Sequence, residues 1–193
     1  LIASLSIVCI AFTINFVKNY FNNRIVRKVS ELAILGYSIP GAIIAIGILK
    51  LNSHINKSFN ILIIGSVFVL VFAYGVRFLA VAWQPIQSSM KKQCASINHA
   101  SRVLSASSTT SLLKINLPIL RKPLLIAALI VFIDVAKELP LTLILRPFNF
   151  DTLATYTYDL INQAQFFQSS LPSLLIILIS FPAISVSYTH LRA

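Results

Sequence analysis

Five long apolar segments constrain the fold of this chain more than any other feature. Each approaches the length of about 20 residues that crosses a bilayer as a helix. A segment inside a bilayer must satisfy its backbone hydrogen bonds internally, and the alternating pattern of barrel strands is absent, so helices are predicted. We therefore expect an all-α polytopic membrane protein with one transmembrane domain over residues 1–188. The predicted spans are residues 1–17, 32–51, 59–83, 123–145 and 171–188.

The amino-acid composition supports a membrane location. Of the 193 residues, 57% are hydrophobic and 11% are charged, whereas a soluble domain carries about 25% charged residues. The net charge of +11 is compatible with nucleic-acid binding. The basic residues lie between the apolar segments rather than along one face, so membrane lipid, and not nucleic acid, is the expected environment.

The distribution of basic residues predicts the orientation. Loops 18–31 and 84–122 hold ten Lys and Arg residues, whereas the loops on the other side hold three. Cytoplasmic loops carry an excess of Lys and Arg, so these two loops are expected in the cytoplasm. The basic residues of the first two loops are Lys18, Arg24, Arg27, Lys28, Lys91, Lys92, Arg102, Lys114, Arg121 and Lys122; those on the other side are Lys50, Lys57 and Arg146.

The two ends of the chain are atypical. The sequence starts at Leu1 inside an apolar segment, with no basic signal-peptide start, so we expect it to be a fragment without its N-terminal part. The last seven residues, 187–193, change character abruptly, so we expect a truncation or assembly junction there, with residues 189–193 as a tail of doubtful origin. Two cysteines are too few for a disulfide framework.

No catalytic site is predicted. Gly36 and Gly41 have the spacing of a phosphate-binding loop, but Ala42 and Ile43 stand where Lys and Ser or Thr belong. The three histidines are scattered, without metal-ligand spacing. We expect this chain to be no enzyme and to bind no metal or cofactor.

The long cytoplasmic loop has a helical pattern. Ile97, Ala100 and Leu104 fall at i, i+3 and i+7, which places them on one apolar face. The polar run 105–111 predicts a turn, and residues 112–117 predict a second short helix. Such a loop could contact a partner protein or rest on anionic lipid as an interfacial helix, and both interpretations stay open.

At these residues the chain resembles the permeases of binding-protein-dependent ABC importers. Their EAA signature reads Glu-Ala-Ala-x3-Gly-x9-Ile-x-Leu-Pro, and in that family the loop forms a coupling helix that docks into the ATPase. His99 replaces the acid, which loses or reverses a pairing with the ATPase, and Ser105 replaces the glycine, which costs about 1–2 kcal/mol in a left-handed backbone. The ATPase-coupling residues implied are His99, Ala100, Ser101, Leu104, Ser105, Ile115, Leu117 and Pro118.

Three further stretches, residues 35–49, 75–86 and 134–155, resemble the C-terminal half of ferric-iron ABC permeases. The resemblance implies the five-helix core of a type I importer, multi-pass in a bacterial plasma (inner) membrane. It implies an ABC ATPase subunit, dimeric in the assembly, that holds ATP and Mg. It also implies a periplasmic or lipid-anchored substrate-binding protein and a second permease half.

A charged cluster lies inside the fourth apolar segment. Asp134, Lys137 and Glu138 share one helix face, followed by Pro140. A lone charge at the bilayer centre costs about 2.5–3.5 kcal/mol, so the three should face the protein interior or water. The cluster is either an internal salt bridge or a pathway lining or gate. Lys137 disfavours a permanent cation site because it would repel the cation.

Two other features have open interpretations. Arg77 is predicted to be an anchor near the cytoplasmic end of its span, with a pathway role as the alternative. The aromatic segment 146–161 is predicted to lie outside the cytoplasm, as an interfacial or lid segment or as part of a docking surface for a binding protein. Asp151 and Asp159 in this segment could also meet an emerging cation.

These observations predict a transmembrane permease subunit, with ferric iron as the expected substrate. The same fold importing thiamine, a polyamine or an inorganic anion is one alternative. A secondary transporter or membrane scaffold without an ATPase is the alternative from another class.

The predicted topology can be tested at Cys94. In a Cys9→Ser background, an impermeant maleimide should label Cys94 only after the membrane is permeabilised, because loop 84–122 is expected in the cytoplasm. Gel-shift or mass-spectrometric detection of the adduct gives the readout, with Cys94→Ala as the unlabelled control. Full labelling in intact cells would place the loop on the other side and refute the orientation.

Overall fold

The computed structural model describes residues 1–21, 27–28, 30–31, 35–59, 65–93, 97, 101 and 107–190. These residues are helical apart from short turns, and they include no strand, which confirms the all-α prediction. The main helices are α1 (Ile2–Phe21), α2 (Gly41–Phe59), α3 (Val67–Gln93), α4 (Arg121–Lys137), α5 (Pro140–Leu145), α6 (Leu153–Asn162) and α7 (Phe166–His190). Shorter helical segments are Leu35–Ser38, Ser108–Thr110, Ser111–Asn116 and Leu117–Ile119.

The chain forms two compact units. The first comprises Leu1–Tyr37 and Phe78–Val131, and the second comprises Ser38–Arg77 and Phe132–Ala193. Helices α3 and α4 each contribute residues to both units.

In the first unit, α1 packs through one face. Its buried residues recur at intervals of three and four, as in a helix with a single inward stripe. Near the end of α1, the Asn19 side chain donates to the sulfur of Met90 at 3.2 Å, and the Lys18 ammonium lies 5.2 Å from the centre of the Trp83 ring. These contacts join the end of α1 to the second half of α3.

In the second unit, α2 packs against α5, and α6 packs against α7. Helix α2 buries Ile44, Ala45 and Ile48, and α5 buries Leu141 and Leu145. Helix α6 begins with a capping box, in which the side chains of Thr152 and Thr155 each accept the backbone N–H of the other residue. The cap satisfies backbone donors that the first turn would otherwise leave unpaired.

Two helices in the described part of the chain are long and apolar enough to cross a membrane, by length and composition: Ile2–Phe21 and Val67–Lys92. Phe166–Phe181 of α7 is a shorter apolar helix. Large apolar side chains of α7 are exposed, among them Phe167, Leu171 and Leu178. Contiguous exposed apolar surface of this kind is typical of interfaces with lipid or with another protein.

The helix boundaries differ from the predicted spans at several places in the described part of the chain. Helix α2 continues to Phe59, past the predicted end at residue 51, and α7 covers Phe166–His190 instead of residues 171–188. Helix α2 begins only at Gly41, after a short helical turn over Leu35–Ser38, because a residue before proline, here Ile39, disfavours the α conformation. The fourth predicted span is divided between α4 and α5.

Helix α3 is longer than predicted. It continues to Gln93 with Pro85 inside it, so residues 84–93 are helical and not part of the loop. The buried side chains of Trp83, Ile86 and Met90 recur along one face of this part of α3. Their packing offsets the backbone hydrogen bond lost at Pro85.

The turn between α6 and α7 generates a stability prediction. Ala164 has φ 58°, and the bonds from Ala164 N–H to the Ile161 carbonyl (3.0 Å) and from Gln165 N–H to the Leu160 carbonyl (2.9 Å) form a Schellman motif. A left-handed residue other than glycine costs about 1–2 kcal/mol. Ala164→Gly should therefore raise the free energy of unfolding by about 1 kcal/mol, as measured by denaturant or thermal unfolding of detergent-purified protein.

The matched control is Ala154→Gly, inside α6, where glycine should lower stability by about 1 kcal/mol. If both variants lose stability equally, the left-handed conformation of Ala164 contributes no strain.

Candidate functional site

The charged cluster lies at a break between two helices. Helix α4 ends at Lys137 and α5 begins at Pro140, which suits a proline at the first position of a helix. The Glu138 carboxylate accepts the backbone N–H of Leu141 at 3.2 Å. The Thr142 hydroxyl donates to the Glu138 carbonyl at 2.8 Å. Glu138 therefore caps α5 through its side chain and also binds that helix through its backbone.

Glu138 forms an ion pair with Arg77 of α3. The Arg77 Nε lies 3.1 Å from the Glu138 Oε2, and the two side chains are 20% and 7% exposed. Arg77 Nη1 also donates to the carbonyl of Ile39 at 3.1 Å, just before α2. Removing one partner of a buried ion pair costs about 3–5 kcal/mol, because the other charge stays buried.

The position of Arg77 differs from the predicted helix-end anchor. Because α3 continues to Gln93, Arg77 lies well inside the helix, and its guanidinium contacts Glu138. This contact and the one to Ile39 help to orient the Arg77 side chain.

Gly41 allows α2 to approach the ion pair closely. A Cβ at Gly41 would lie 2.5 Å from the Glu138 Oε1 and 2.7 Å from the Arg77 Nη1. Because both distances are below 3.0 Å, a methyl group at this position would require the Glu138 carboxylate or the Arg77 guanidinium to shift. The first turn of α2 also favours nearby negative charge through the helix dipole.

A second polar contact joins α3 to α5. The hydroxyl oxygens of Tyr74 and Thr142 are 2.6 Å apart, and both residues are buried. Because Thr142 also binds the Glu138 carbonyl, the contact continues the network from Arg77 through the helix break. Buried polar groups that are fully hydrogen-bonded hold their helices in one arrangement.

Asp134 and Lys137 form a separate pair. The Lys137 Nζ lies 3.8 Å from the Asp134 Oδ1, and both side chains are more exposed than Glu138. The predicted cluster of three is thus divided, with Glu138 facing Arg77 and Asp134 facing Lys137. The two acids and two bases together carry no net charge.

The described residues contain no group of three or more His, Cys, Asp or Glu side chains arranged to hold a metal ion. Each carboxylate of the charged cluster faces a basic group. A cation could bind there only if an ion pair opened first. The arrangement therefore suits a set of contacts that changes partners better than a preformed cation cage.

Part of the predicted coupling loop is described. His99, Ala100, Leu104 and Ser105 lie outside the described residues, whereas the other coupling positions are described. The Ser107 hydroxyl accepts the N–H of Thr110 at 3.2 Å, and a helical segment runs from there to Ile119. This segment begins within the predicted turn, because Ser107 provides the N-terminal cap.

The coupling segment, Ser108–Ile119, has one polar buried side and one exposed side. The Ser101 and Ser111 hydroxyls lie 3.3 Å apart, and the Asn116 amide donates to the Ser111 carbonyl at 2.9 Å. Leu113 and Leu117 are 59% and 39% exposed. Among the other predicted coupling residues, Pro118 is exposed and Ile115 is partly exposed.

In the aromatic segment, Arg146 forms ion pairs with both Asp151 and Asp159. The Arg146 Nη2 lies 3.0 Å from the Asp159 Oδ2. Both acids that could meet a cation are therefore in contact with a base. Phe148 is 96% exposed, and Tyr156 is 49% exposed. An interfacial segment and a docking surface would both use such exposed aromatic side chains, so both predictions stay open.

Sequence reasoning missed the pairing of Arg77 with Glu138 and the role of Gly41. Charge balance could have found the first, since Asp134, Lys137 and Glu138 carry a net charge of −1 and Arg77 is the basic residue in the preceding apolar segment. The contact at Gly41 depends on a close approach between helices, for which the sequence carries no local signal.

No protein-family model matches the chain, and no curated protein matches it either.

The close approach at Gly41 can be tested with a matched pair of glycines. Gly41→Ala should lower the free energy of unfolding by about 1–3 kcal/mol, because the added methyl group forces Arg77 and Glu138 apart. At Gly47, in the same helix, an added Cβ meets nothing within 4 Å, so Gly47→Ala should be neutral or stabilise by about 1 kcal/mol. Thermal unfolding in detergent measures both; equal effects would show that the ion pair does not require glycine.

Proposed function

We propose that this chain is the transmembrane permease subunit of an ATP-driven importer, coupled to a separate ATPase through residues 94–118. The observation that carries the proposal is the spacing of Ala100, Ile115, Leu117 and Pro118 within a basic loop between apolar segments. That spacing resembles the coupling signature of ABC permeases. The exposed Leu113 and Leu117 support it, because a docking ridge needs apolar side chains that the permease itself leaves uncovered.

Embedding in a bacterial inner membrane by several spans is part of the proposal. Two helices have sufficient length and hydropathy, and α7 exposes many large apolar side chains. These features, together with the excess of basic residues in two alternate loops, support a multi-pass arrangement.

The connection between the loop and the charged cluster suggests how coupling would work. Helix α4 begins two residues after Ile119 and ends at the break that Glu138 occupies. A helix of 17 residues is about 25 Å long, and it is the part of the chain that directly connects the coupling segment with Glu138.

At the charged cluster we propose a gate rather than a binding cage. The Arg77–Glu138 and Asp134–Lys137 pairs would open and change partners as the permease alternates between outward-open and inward-open states. Carboxylate oxygens released in this way suit a hard cation such as ferric iron. Iron itself is proposed from the resemblance to ferric-iron permeases.

The coupling is tested by co-purification. An affinity-tagged chain, expressed with its neighbouring genes, should retain an ATPase subunit. Ala100→Asp should lower the amount of retained ATPase at least tenfold, because it would place a charge in an apolar contact. Ser88→Asp is the matched control, because this exposed residue of α3 adds the same charge outside residues 94–118, and it should retain the ATPase. If wild-type protein retains no ATPase and Ala100→Asp leaves uptake unchanged, a secondary transporter or scaffold is favoured instead.

The substrate is tested by uptake in the same cells. Deletion of the gene should abolish ATP-dependent uptake of labelled ferric iron. Asp134→Asn or Glu138→Gln should reduce uptake per copy of the protein in the membrane, with the protein quantified by immunoblot because loss of the Glu138 charge also destabilises its pairing with Arg77. If the deletion strain keeps its iron uptake but loses uptake of thiamine, a polyamine or an anion, ferric iron is not the substrate, and the proposal of an importer still stands.

A further inference from the structure

The exposed face of α2 changes from apolar to basic along the helix. Ile43 and Ile46 are each 59% exposed, and they are followed on the same face by exposed Lys50, His54 and Lys57. The opposite face is buried in the second unit. Helix α2 contains no Asp or Glu, so no acidic side chain of this helix neutralises the basic end of the face.

The spacing makes these residues one continuous stripe. Positions 43, 46, 50, 54 and 57 are separated by three or four residues, which are neighbours on a helix surface. At 1.5 Å per residue, the stripe runs about 10 Å from Ile43 to Lys50 and about 20 Å from Ile43 to Lys57. Ile43 and Ile46 lie one turn apart, about 5 Å along the axis, so the apolar part lies directly beside the basic part and fits within the thickness of one leaflet, which is about 15 Å.

The middle of the stripe is a shallow groove. Its lining consists of Gly47, Lys50, Leu51, Ser53, His54 and Lys57. Because a Cβ at Gly47 would meet nothing within 4 Å, the glycine leaves open space beside the apolar side chains. The groove thus joins the apolar part of the stripe to its basic part.

We propose that this face of α2 binds an anionic phospholipid. The headgroup phosphate lies against Lys50, His54 and Lys57, and an acyl chain follows Gly47, Ile46 and Ile43. Lysine ammonium groups near a membrane surface attract anionic headgroups, and the exposed isoleucines require an apolar partner. This proposal rests on the membrane embedding in the proposed function, but not on the ATPase or the substrate.

Lipid fits this surface better than the other anions. Inorganic phosphate would occupy only the basic end and leave Ile43 and Ile46 uncovered. An acidic soluble protein would match the charges but not the apolar stripe that continues toward the middle of the bilayer. An anionic phospholipid has a negative headgroup and apolar acyl chains in one molecule. Its headgroup can contact the basic end of the stripe while an acyl chain contacts the apolar end.

The experiment uses photoreactive phosphatidylglycerol, with a diazirine in one acyl chain, added to the detergent-purified full chain. Phosphatidylcholine with the same chains is the headgroup control. Peptide mass spectrometry should locate the adduct on residues 43–57. Lys50→Gln combined with Lys57→Gln should weaken binding of phosphatidylglycerol about 30-fold, and Gly47→Leu should reduce the adduct without any change of charge.

The matched charge control is Lys91→Gln combined with Lys92→Gln. These lysines are exposed on α3, and the change in net charge is the same, so this variant should keep the adduct on α2. Three results would each overturn the proposal. They are equal labelling by phosphatidylcholine, an equal loss of the α2 adduct in the α3 variant, and complete displacement of the phosphatidylglycerol by inorganic phosphate.

Failure of this proposal is distinguishable from failure of the proposed function. Resistance of the protein to alkaline carbonate extraction from membranes reports embedding, and co-purification reports the ATPase. An embedded protein without the α2 adduct refutes only the lipid site. A protein that carries the adduct but retains no ATPase refutes only the coupling.

Discussion

The second unit depends on the neutralisation of Glu138 by Arg77. A carboxylate that is only 7% exposed is costly to bury unless a positive charge and hydrogen-bond donors surround it. Arg77 supplies the charge, and the Leu141 backbone supplies a donor. The pairing requires α3 and the start of α5 to lie together, and Gly41 in the adjacent turn of α2 leaves room for the two side chains in the arrangement observed.

Several unusual local features follow from that requirement. The break between α4 and α5 frees backbone groups that Glu138 and Thr142 then bind. The hydroxyl of Tyr74 adds a second contact from α3 to α5. A network of this kind has few alternative arrangements, because each missing partner would leave a buried polar group unsatisfied.

The two proposed contact surfaces have different chemistry. The coupling segment exposes leucines beside Lys114 and suits a protein cleft, whereas the face of α2 is graded from apolar to basic and suits a lipid. Both are surfaces that the chain itself leaves uncovered. An importer requires both kinds of contact, since force must enter from a partner while the helices stay anchored in the bilayer.

The sequence by itself determined that the chain is helical, where most apolar helices lie, and that Asp134 and Lys137 are close enough to pair. These properties depend on hydropathy, proline positions and spacings of three or four residues, which are local. Only the tertiary structure decided that Glu138 pairs with Arg77, that Gly41 must be small, and that α3 continues through Pro85. Each of these depends on side chains that are distant in sequence and become neighbours through packing, and no local pattern specifies such neighbours.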